Sequence, residues 1–146
     1  MTTNYRDVPE LQKYIDLVEN EGKNGVKKCC KWQKKLIKFV KKCFENENLT
    51  IDTEQLKKYM GLQKYFDFEL FEWEQFVFTL HCCVFREDGL PRFPDLLIFV
   101  ARGAGKNGYL AFEDFAMISP YSNLQQYDVD ICATAEEQAR TSFDDI

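Results

Sequence analysis

The sequence has 146 residues, of which 45% are hydrophobic, 29% charged and 15% aromatic, as is typical of a globular domain with enough apolar side chains for a core. This composition excludes a disordered chain and a collagen-like repeat. Its apolar runs are shorter than the roughly 18 to 20 residues of a membrane span. We therefore expect no membrane span. The first residues do not show the basic start and apolar segment of a secretory signal, so we expect no oxidising compartment.

The net charge is −5 at pH 7, and it is distributed unevenly along the chain. Residues 1–73 carry 14 Lys and Arg against 12 Asp and Glu, whereas residues 74–146 carry 5 against 12. Eight lysines lie between Lys27 and Lys42. The basic charge is therefore local, and each cation of the C-terminal half needs an explanation of its own.

Six cysteines raise the question of a disulfide framework or a zinc site. The lone histidine, His81, stands next to Cys82 and Cys83. Adjacent cysteines rarely serve one tetrahedral ion, and the chain has no C-x₂-C pair with a matching second pair. We expect buried, reduced thiols that act as small apolar side chains.

The first half of the chain carries the period of two amphipathic helices. The first is predicted from Asp7, with Pro9 near its first turn, through Val18, and Gly22 and Gly25 end it. The second is longer and has both an apolar and a basic face. Its apolar face comprises Val26, Cys29, Cys30, Leu36, Ile37, Val40, Cys43 and Phe44. Its basic face comprises Lys27, Lys31, Lys34, Lys38 and Lys41.

Two further helices are predicted before residue 86. The first is short, begins at a cap at Asp52 or Thr53, and is interrupted by Gly61. Residues 70–85 are strongly apolar and aromatic, which indicates a buried helix, and residues 86–91 indicate a turn.

The pattern changes to alternating strands and helices from residue 95 onward. Residues 96–100 form a short continuous apolar run of the kind that serves as a fully buried parallel strand. A helix over residues 106–118, a second strand over 127–133 and a helix over 135–146 follow. The order is β-α-β-α, and we expect an α/β fold.

A glycine turn, defined here as residues 101–108 (Ala-Arg-Gly-Ala-Gly-Lys-Asn-Gly), joins the predicted strand to the predicted helix. Glycines let successive backbone N–H groups converge, a helix N-terminus adds its positive end, and a lysine reaches the outer phosphates. The turn departs from the G-x-x-x-x-G-K-[ST] pattern at Val100 and Asn107. It indicates a phosphate site, with a plain strand-to-helix turn as the alternative.

The glycine turn and its flanking residues resemble the N-terminal part of the large terminase subunit of tailed bacteriophages. The resemblance lies in the run Ala101-Arg102-x-x-Gly105-Lys106-Asn107 and in residues 71–76, 88–93 and 130–139. It covers nearly the whole chain, but it is loose over the N-terminal part and specific over the second half.

The resemblance implies a P-loop NTPase-like parallel sheet, of which this chain carries the first strands and helices. The implied domains are a helical N-terminal region over residues 1–69 and the truncated start of the ATPase domain over residues 70–146. Members of this family use ATP and Mg²⁺ to drive double-stranded viral DNA into a capsid. Their partners are the portal and the small terminase subunit, in the cytoplasm of a bacterial host.

The resemblance also assigns roles to single residues. Lys106 would bind the β- and γ-phosphates of ATP, and Arg102 would lie against the γ-phosphate, where positive charge stabilises the transition state. Asn107 stands where a hydroxyl normally ligates Mg²⁺. Gln75 matches an upstream glutamine that reads adenine with its amide. The remaining residues of the phosphate loop would be Gly103, Ala104, Gly105 and Gly108.

Each assignment has a structural alternative. Trp73 is more typical of a helix core than of a nucleotide contact, whereas Gln75 suits either role. Arg102 has Asp95 and Glu113 as candidate ion-pair partners. The basic helix face is expected to be a solvated face whose opposite side packs into the domain, with DNA binding as the alternative.

The catalytic carboxylates of a packaging motor are missing from the sequence. No apolar strand after the glycine turn ends in an acidic pair, because Asp128 and Asp130 lie within a predicted strand. The resemblance also implies a nuclease domain that cuts the DNA, and the carboxylate cluster of such a nuclease is not present in the sequence either. We expect a fragment or a naturally truncated gene product, with a non-catalytic binding module that contacts terminase, portal or DNA as the alternative.

Overall fold

The computed structural model describes residues 4–23, 28–137 and 139–140, and it is mainly helical. The helices are α1 (Pro9–Glu19), α2 (Lys31–Asn46), α3 (Thr53–Met60), α4 (Glu72–Cys83) and α5 (Lys106–Ile118). Strands β1 (Thr50–Ile51) and β2 (Val84–Phe85) pair antiparallel. Short 3₁₀ helices span Tyr5–Asp7, Gly61–Tyr65 and Pro120–Ser122.

The predicted α/β fold with a P-loop-like parallel sheet is wrong. The described residues are 57% helical, and the sheet that they form is the antiparallel pair β1–β2. Residues 96–100, predicted as a buried strand, pair with neither of these strands, and Leu97 and Phe99 are 92% and 99% exposed. Residues 127–133, the second predicted strand, are not in a strand either.

The reason for this difference is that a strand is not a local structure. A parallel strand buried on both faces needs hydrogen-bonded neighbours along its edges and helices on its faces. The backbone of residues 96–100 makes no hydrogen bond to the part of the chain that the structure describes. The apolar run therefore has the composition of a buried strand without its partners.

The predicted helices are largely confirmed, because their signals are local, but the helix predicted over residues 70–85 ends at Cys83, and Val84–Phe85 form β2. α5 has the predicted bounds, and the turn over residues 86–91 is closed by the bond from the N–H of Gly89 to the C=O of Arg86, 3.0 Å long. For the last predicted helix, the N–H of Ala139 donates to the C=O of Ala135. The rest of that helix, from residue 141 onward, lies outside the described residues.

Two compact units divide the chain. The first unit comprises Met1–Thr53 and Glu72–Asp95, and the second comprises Glu54–Phe71 and Leu96–Ile146. The units are thus interleaved along the sequence. The division at residues 69 and 70 into a helical region and an ATPase region stays a prediction.

The first unit is built around α1, which packs against α4 and α2. Its buried residues recur at helical spacing, as predicted, and are Leu11, Tyr14, Ile15 and Val18. The ring centroids of Tyr14 and Phe76 lie 5.0 Å apart, and the Tyr14 hydroxyl accepts a hydrogen bond from Gln33 Nε2 at 2.9 Å. One aromatic side chain therefore joins α1 to both neighbouring helices.

Helix α2 begins later than the sequence predicts. Cys29 and Cys30 precede the helix, and the N–H of Cys30 donates to Gln33 Oε1 at 2.7 Å. Val26 and Lys27, which the prediction placed on its faces, lie outside the described residues. The core-facing residues are Ile37, Val40 and Cys43.

Leu36 is a correction to the predicted apolar face of α2. Its side chain is 38% exposed, whereas the neighbouring Ile37 is 2% exposed. Successive residues of a helix are rotated by about 100°, so two adjacent apolar residues cannot both point at the centre of the core.

We predict that alanine substitutions at Ile37 and Leu36 lower the free energy of unfolding by different amounts. Ile37→Ala removes a buried branched side chain and should lower the free energy of unfolding by about 2 to 5 kcal/mol. Leu36→Ala should lower it by less, about 1 kcal/mol, because this side chain is only partly buried. Urea unfolding followed by circular dichroism measures both, and equal losses for the two variants would contradict the observed orientation of α2.

Candidate functional site: the glycine turn before helix α5

The glycine turn leads directly into α5. The N–H of Ala104 donates to the C=O of Ala101 at 3.3 Å and closes the turn. Gly103 and Gly105 have φ angles of +79° and +89°, in the left-handed region that side chains with a Cβ rarely adopt. Gly105 is the N-cap of α5, and its C=O accepts from the N–H of Tyr109 at 3.0 Å. The backbone itself therefore requires both glycines.

Backbone donors are left open at the start of α5. The first N–H groups of any α-helix lack an intrahelical acceptor. The N-cap, Gly105, has no side chain that accepts from them, and the first turn contains no acidic residue. The amides that follow the turn therefore combine with the positive end of the helix dipole, which favours an anion.

Two cations accompany these amides. Arg102 and Lys106 are exposed, and neither forms an ion pair with a carboxylate of the residues that the structure describes. Glu113, a candidate partner of Arg102, is buried within α5 at 8% exposure. The other candidate, Asp95, belongs to the first unit. The described carboxylates therefore leave the positive charge of the turn without an ion pair.

The last two residues of the turn have different environments. Asn107 is exposed, which leaves its amide oxygen accessible to a cation beside a bound phosphate. Gly108 lies against an aromatic ring, since a Cβ built at this position would be 3.1 Å from Cζ of Phe68. Gly108 therefore has a packing role that its place in the predicted phosphate loop does not indicate. Phe66 also packs on α5, with its ring centroid 5.5 Å from that of Phe112.

Gln75 and Trp73 lie on α4 in the first unit, whereas the glycine turn belongs to the second unit. Both side chains are half-buried. The backbone C=O of Gln75 accepts from the hydroxyl of Thr79 at 2.7 Å, an interaction internal to the helix. The role of Gln75 in reading adenine stays a prediction.

The cysteines fall into three classes of burial, of which Cys29 and Cys82 form the half-buried one. Cys43 and Cys83 are buried, and burial raises the pKa of the Cys83 thiol to about 12, so this thiol stays protonated and packs as an apolar group. The prediction of burial is confirmed for these two and wrong for Cys30 and Cys132, which are exposed. Over the described ranges, no three His, Cys, Asp or Glu side chains lie together as a metal site requires.

The acidic residues after the glycine turn form no catalytic pair among the described residues. Asp128 and Asp130 are exposed on a segment that belongs to no strand. On α5, burial followed by the nearby charge of Glu113 raises the pKa of Asp114. Asp114 is eight residues from Lys106, about 12 Å along the helix axis, so it lies outside the turn.

Comparison with known proteins assigns no family to this chain. No protein-family model, curated protein or solved structure matches the chain. The likeness to phage terminases therefore rests on the residues of the glycine turn and its flanking segments. Of the helices among the described residues, none is both long and apolar enough for a membrane crossing.

We predict that the left-handed glycines are needed for stability as well as for ligand binding. Gly105→Ala places a Cβ at φ +89° and should cost about 1 to 2 kcal/mol. The matched control is Gly61→Ala, where φ is not positive and no atom lies within 4 Å of the added Cβ. This control should be neutral or stabilising. Thermal unfolding measures both, and a neutral Gly105→Ala would contradict the backbone geometry of the turn.

Proposed function

We propose that the chain binds the phosphates of ATP and ADP at the glycine turn. The observation that carries this proposal is one arrangement within eight consecutive residues. Two left-handed glycines, the open amides of the first turn of α5, and two cations without carboxylate partners occur together. These donors are local in sequence, so their attraction for a phosphate does not depend on a parallel sheet.

The donor set suits a nucleotide with Mg²⁺. Lys106 is the residue we assign to the β- and γ-phosphates, and Arg102 is assigned to the γ-phosphate. Mg²⁺ prefers oxygen ligands, and the amide oxygen of Asn107 is one, although the usual ligand at this position is a hydroxyl. Bound Mg²⁺ would neutralise phosphate charge, while the turn supplies the amide donors.

The resemblance extends this proposal to viral DNA packaging. The chain is then the ATP-binding N-terminal part of a phage terminase large subunit, which works on double-stranded DNA with the portal and the small subunit. This extension rests on the resemblance alone. The alternative is a non-catalytic module that contacts terminase, portal or DNA, and it requires no nucleotide at the glycine turn.

We predict weak nucleotide binding that depends on Lys106. Titration calorimetry with ADP should give a dissociation constant no lower than about 1 μM, and Lys106→Ala should abolish binding because it removes the cation beside the amides. Lys58→Ala, which removes an exposed lysine of α3 in the same unit, should leave the affinity unchanged. Asn107→Ser should strengthen only the Mg²⁺-dependent part, since a hydroxyl restores the usual ligand. A folded Lys106→Ala protein with undiminished affinity would remove the phosphate-loop assignment.

We predict negligible ATP turnover by this chain. After the turn the sequence offers no apolar strand that ends in an acidic pair to ligate Mg²⁺ and activate water. These two contributions together carry many orders of magnitude in rate. Release of inorganic phosphate, measured with Mg²⁺ present, tests this. Turnover near ~1 s⁻¹ that Lys106→Ala abolishes would show that the chain holds a complete catalytic site.

A further inference from the structure

The outward surface of α2 is divided into distinct stripes. At about 100° per residue, four lysines fall within a stripe roughly 60° wide and about 16 Å long. We call it the lysine stripe, and its members are Lys31, Lys35, Lys38 and Lys42. Three exposed apolar side chains lie beside it, on what we call the apolar flank. They are Trp32, Leu36 and Phe39, with exposed fractions of 64%, 38% and 51%.

The remaining lysines of α2 are accounted for by the fold. Lys34 forms an ion pair with Glu21, and Lys41 Nζ lies 2.6 Å from Glu19 Oε1. Both pairs tie α2 to the segment that contains α1 and the turn after it. By contrast, no residue of the lysine stripe forms an ion pair with a carboxylate of the described residues.

This arrangement is unfavourable for the isolated protein. Like charges three and four residues apart on a helix repel one another, and the lysine stripe has this spacing throughout. Helix α2 contains six lysines and one acidic residue, Glu45, so its own negative charge offsets little of the repulsion between the lysines. A polyanion lying along the stripe would remove the repulsion. Charge complementarity therefore points to a partner with regularly spaced negative charges.

Trp32 indicates which polyanion fits. The Nζ atoms of Lys31 and Lys35 lie over its ring, 5.3 Å and 4.6 Å from the centroid, so two cations adjoin an aromatic side chain that is largely exposed. Phe39 continues the apolar flank two turns later, with its ring centroid 6.4 Å from that of Phe93. Proteins that bind single strands combine a cationic track for the phosphates with aromatic rings on which bases stack.

We propose that α2 binds single-stranded nucleic acid, with the lysine stripe on the phosphates and Trp32 as a stacking platform for a base. In a duplex the bases are stacked on one another and offer no free face to Trp32. A single strand, whether DNA or RNA, satisfies both the stripe and the flank.

An anionic membrane surface suits this helix less well. Helices that lie on membranes bury a wide apolar face in the lipid. The apolar face of α2 that comprises Ile37, Val40 and Cys43 is already buried in the first unit. Three side chains of the apolar flank are what remains for a lipid contact.

The test uses the whole chain and labelled oligonucleotides. Fluorescence anisotropy with a twelve-nucleotide oligothymidine, and with the matching oligouridine, should show binding that weakens with salt, with a log–log slope of about −2.8 for four contacts. The quadruple variant K31Q/K35Q/K38Q/K42Q should bring this slope close to zero. The matched control, K13Q/K23Q/K58Q/K64Q, removes the same charge from exposed lysines elsewhere and should leave the slope unchanged.

The stacking role is tested separately. In a Trp73→Phe background, single strands should quench the fluorescence of Trp32, and a duplex should not. Trp32→Leu should weaken single-strand binding by about fivefold or more. Tyr65→Leu is the control, because Tyr65 is also 65% exposed and has Lys64 Nζ 4.9 Å from its ring centroid. That control should bind as the parent does.

The proposal fails if a duplex of equal length binds as tightly as the single strand, or if no single strand binds at low salt. Binding to vesicles of phosphatidylcholine and phosphatidylserine in place of single strands would identify a membrane surface and overturn it as well. Circular dichroism checks that each variant is folded, and if the quadruple variant is not, the Trp32→Leu and quenching results decide. Lys106→Ala should leave all of these results unchanged. Failure of nucleotide binding at the glycine turn can therefore be told apart from failure of single-strand binding by α2.

Discussion

The first unit depends on the burial of the apolar stripe of α1. Tyr14 contacts Phe76 of α4 and accepts the hydrogen bond of Gln33 on α2, so the position of both helices follows from one buried side chain. Once α2 is held on that side, its rotation is fixed by Ile37 and Val40, which are buried. The lysine stripe faces outward as a consequence of this packing. The candidate binding surface is thus determined by the core beneath it.

The second unit depends instead on a backbone constraint. Gly103 and Gly105 adopt φ angles that other residues reach only with strain, and this allows the chain to reverse immediately before Lys106. The helix that starts there is anchored by the packing of Phe112 and Ala116, which are both fully buried. Its N-terminal amides are therefore held in place without any contribution from a sheet. A rigid helix end is what makes a short turn a candidate anion site.

Local signals explain what the sequence predicted well and what it did not. The bounds of α5 follow from Gly105 as a cap and from apolar residues at helical spacing, both of which are read within one segment. The strand predicted over residues 96–100 depends on partners elsewhere, and no property of the run itself reveals whether they exist. The exposure of Leu36 depends on the rotation of α2, which is fixed by the burial of Ile37 and Val40 against other helices. The candidate site shows the same difference. The glycine turn could be predicted because it lies within eight consecutive residues. The role of Gln75 could not be derived in this way, because Gln75 and the turn belong to different units.

The distribution of charge connects the two candidate surfaces. Residues 74–146 carry a net charge of −7, yet the glycine turn within them has two cations and no acidic residue in the first turn of the helix that follows. Long-range repulsion from an acidic surface is screened within roughly 8 Å at physiological salt, so a phosphate at the turn responds mainly to Arg102, Lys106 and the helix end. The lysine stripe lies in the half of the chain with net charge +2. Each candidate surface therefore has its own local positive charges, and we expect mutation of one to leave the charges of the other in place.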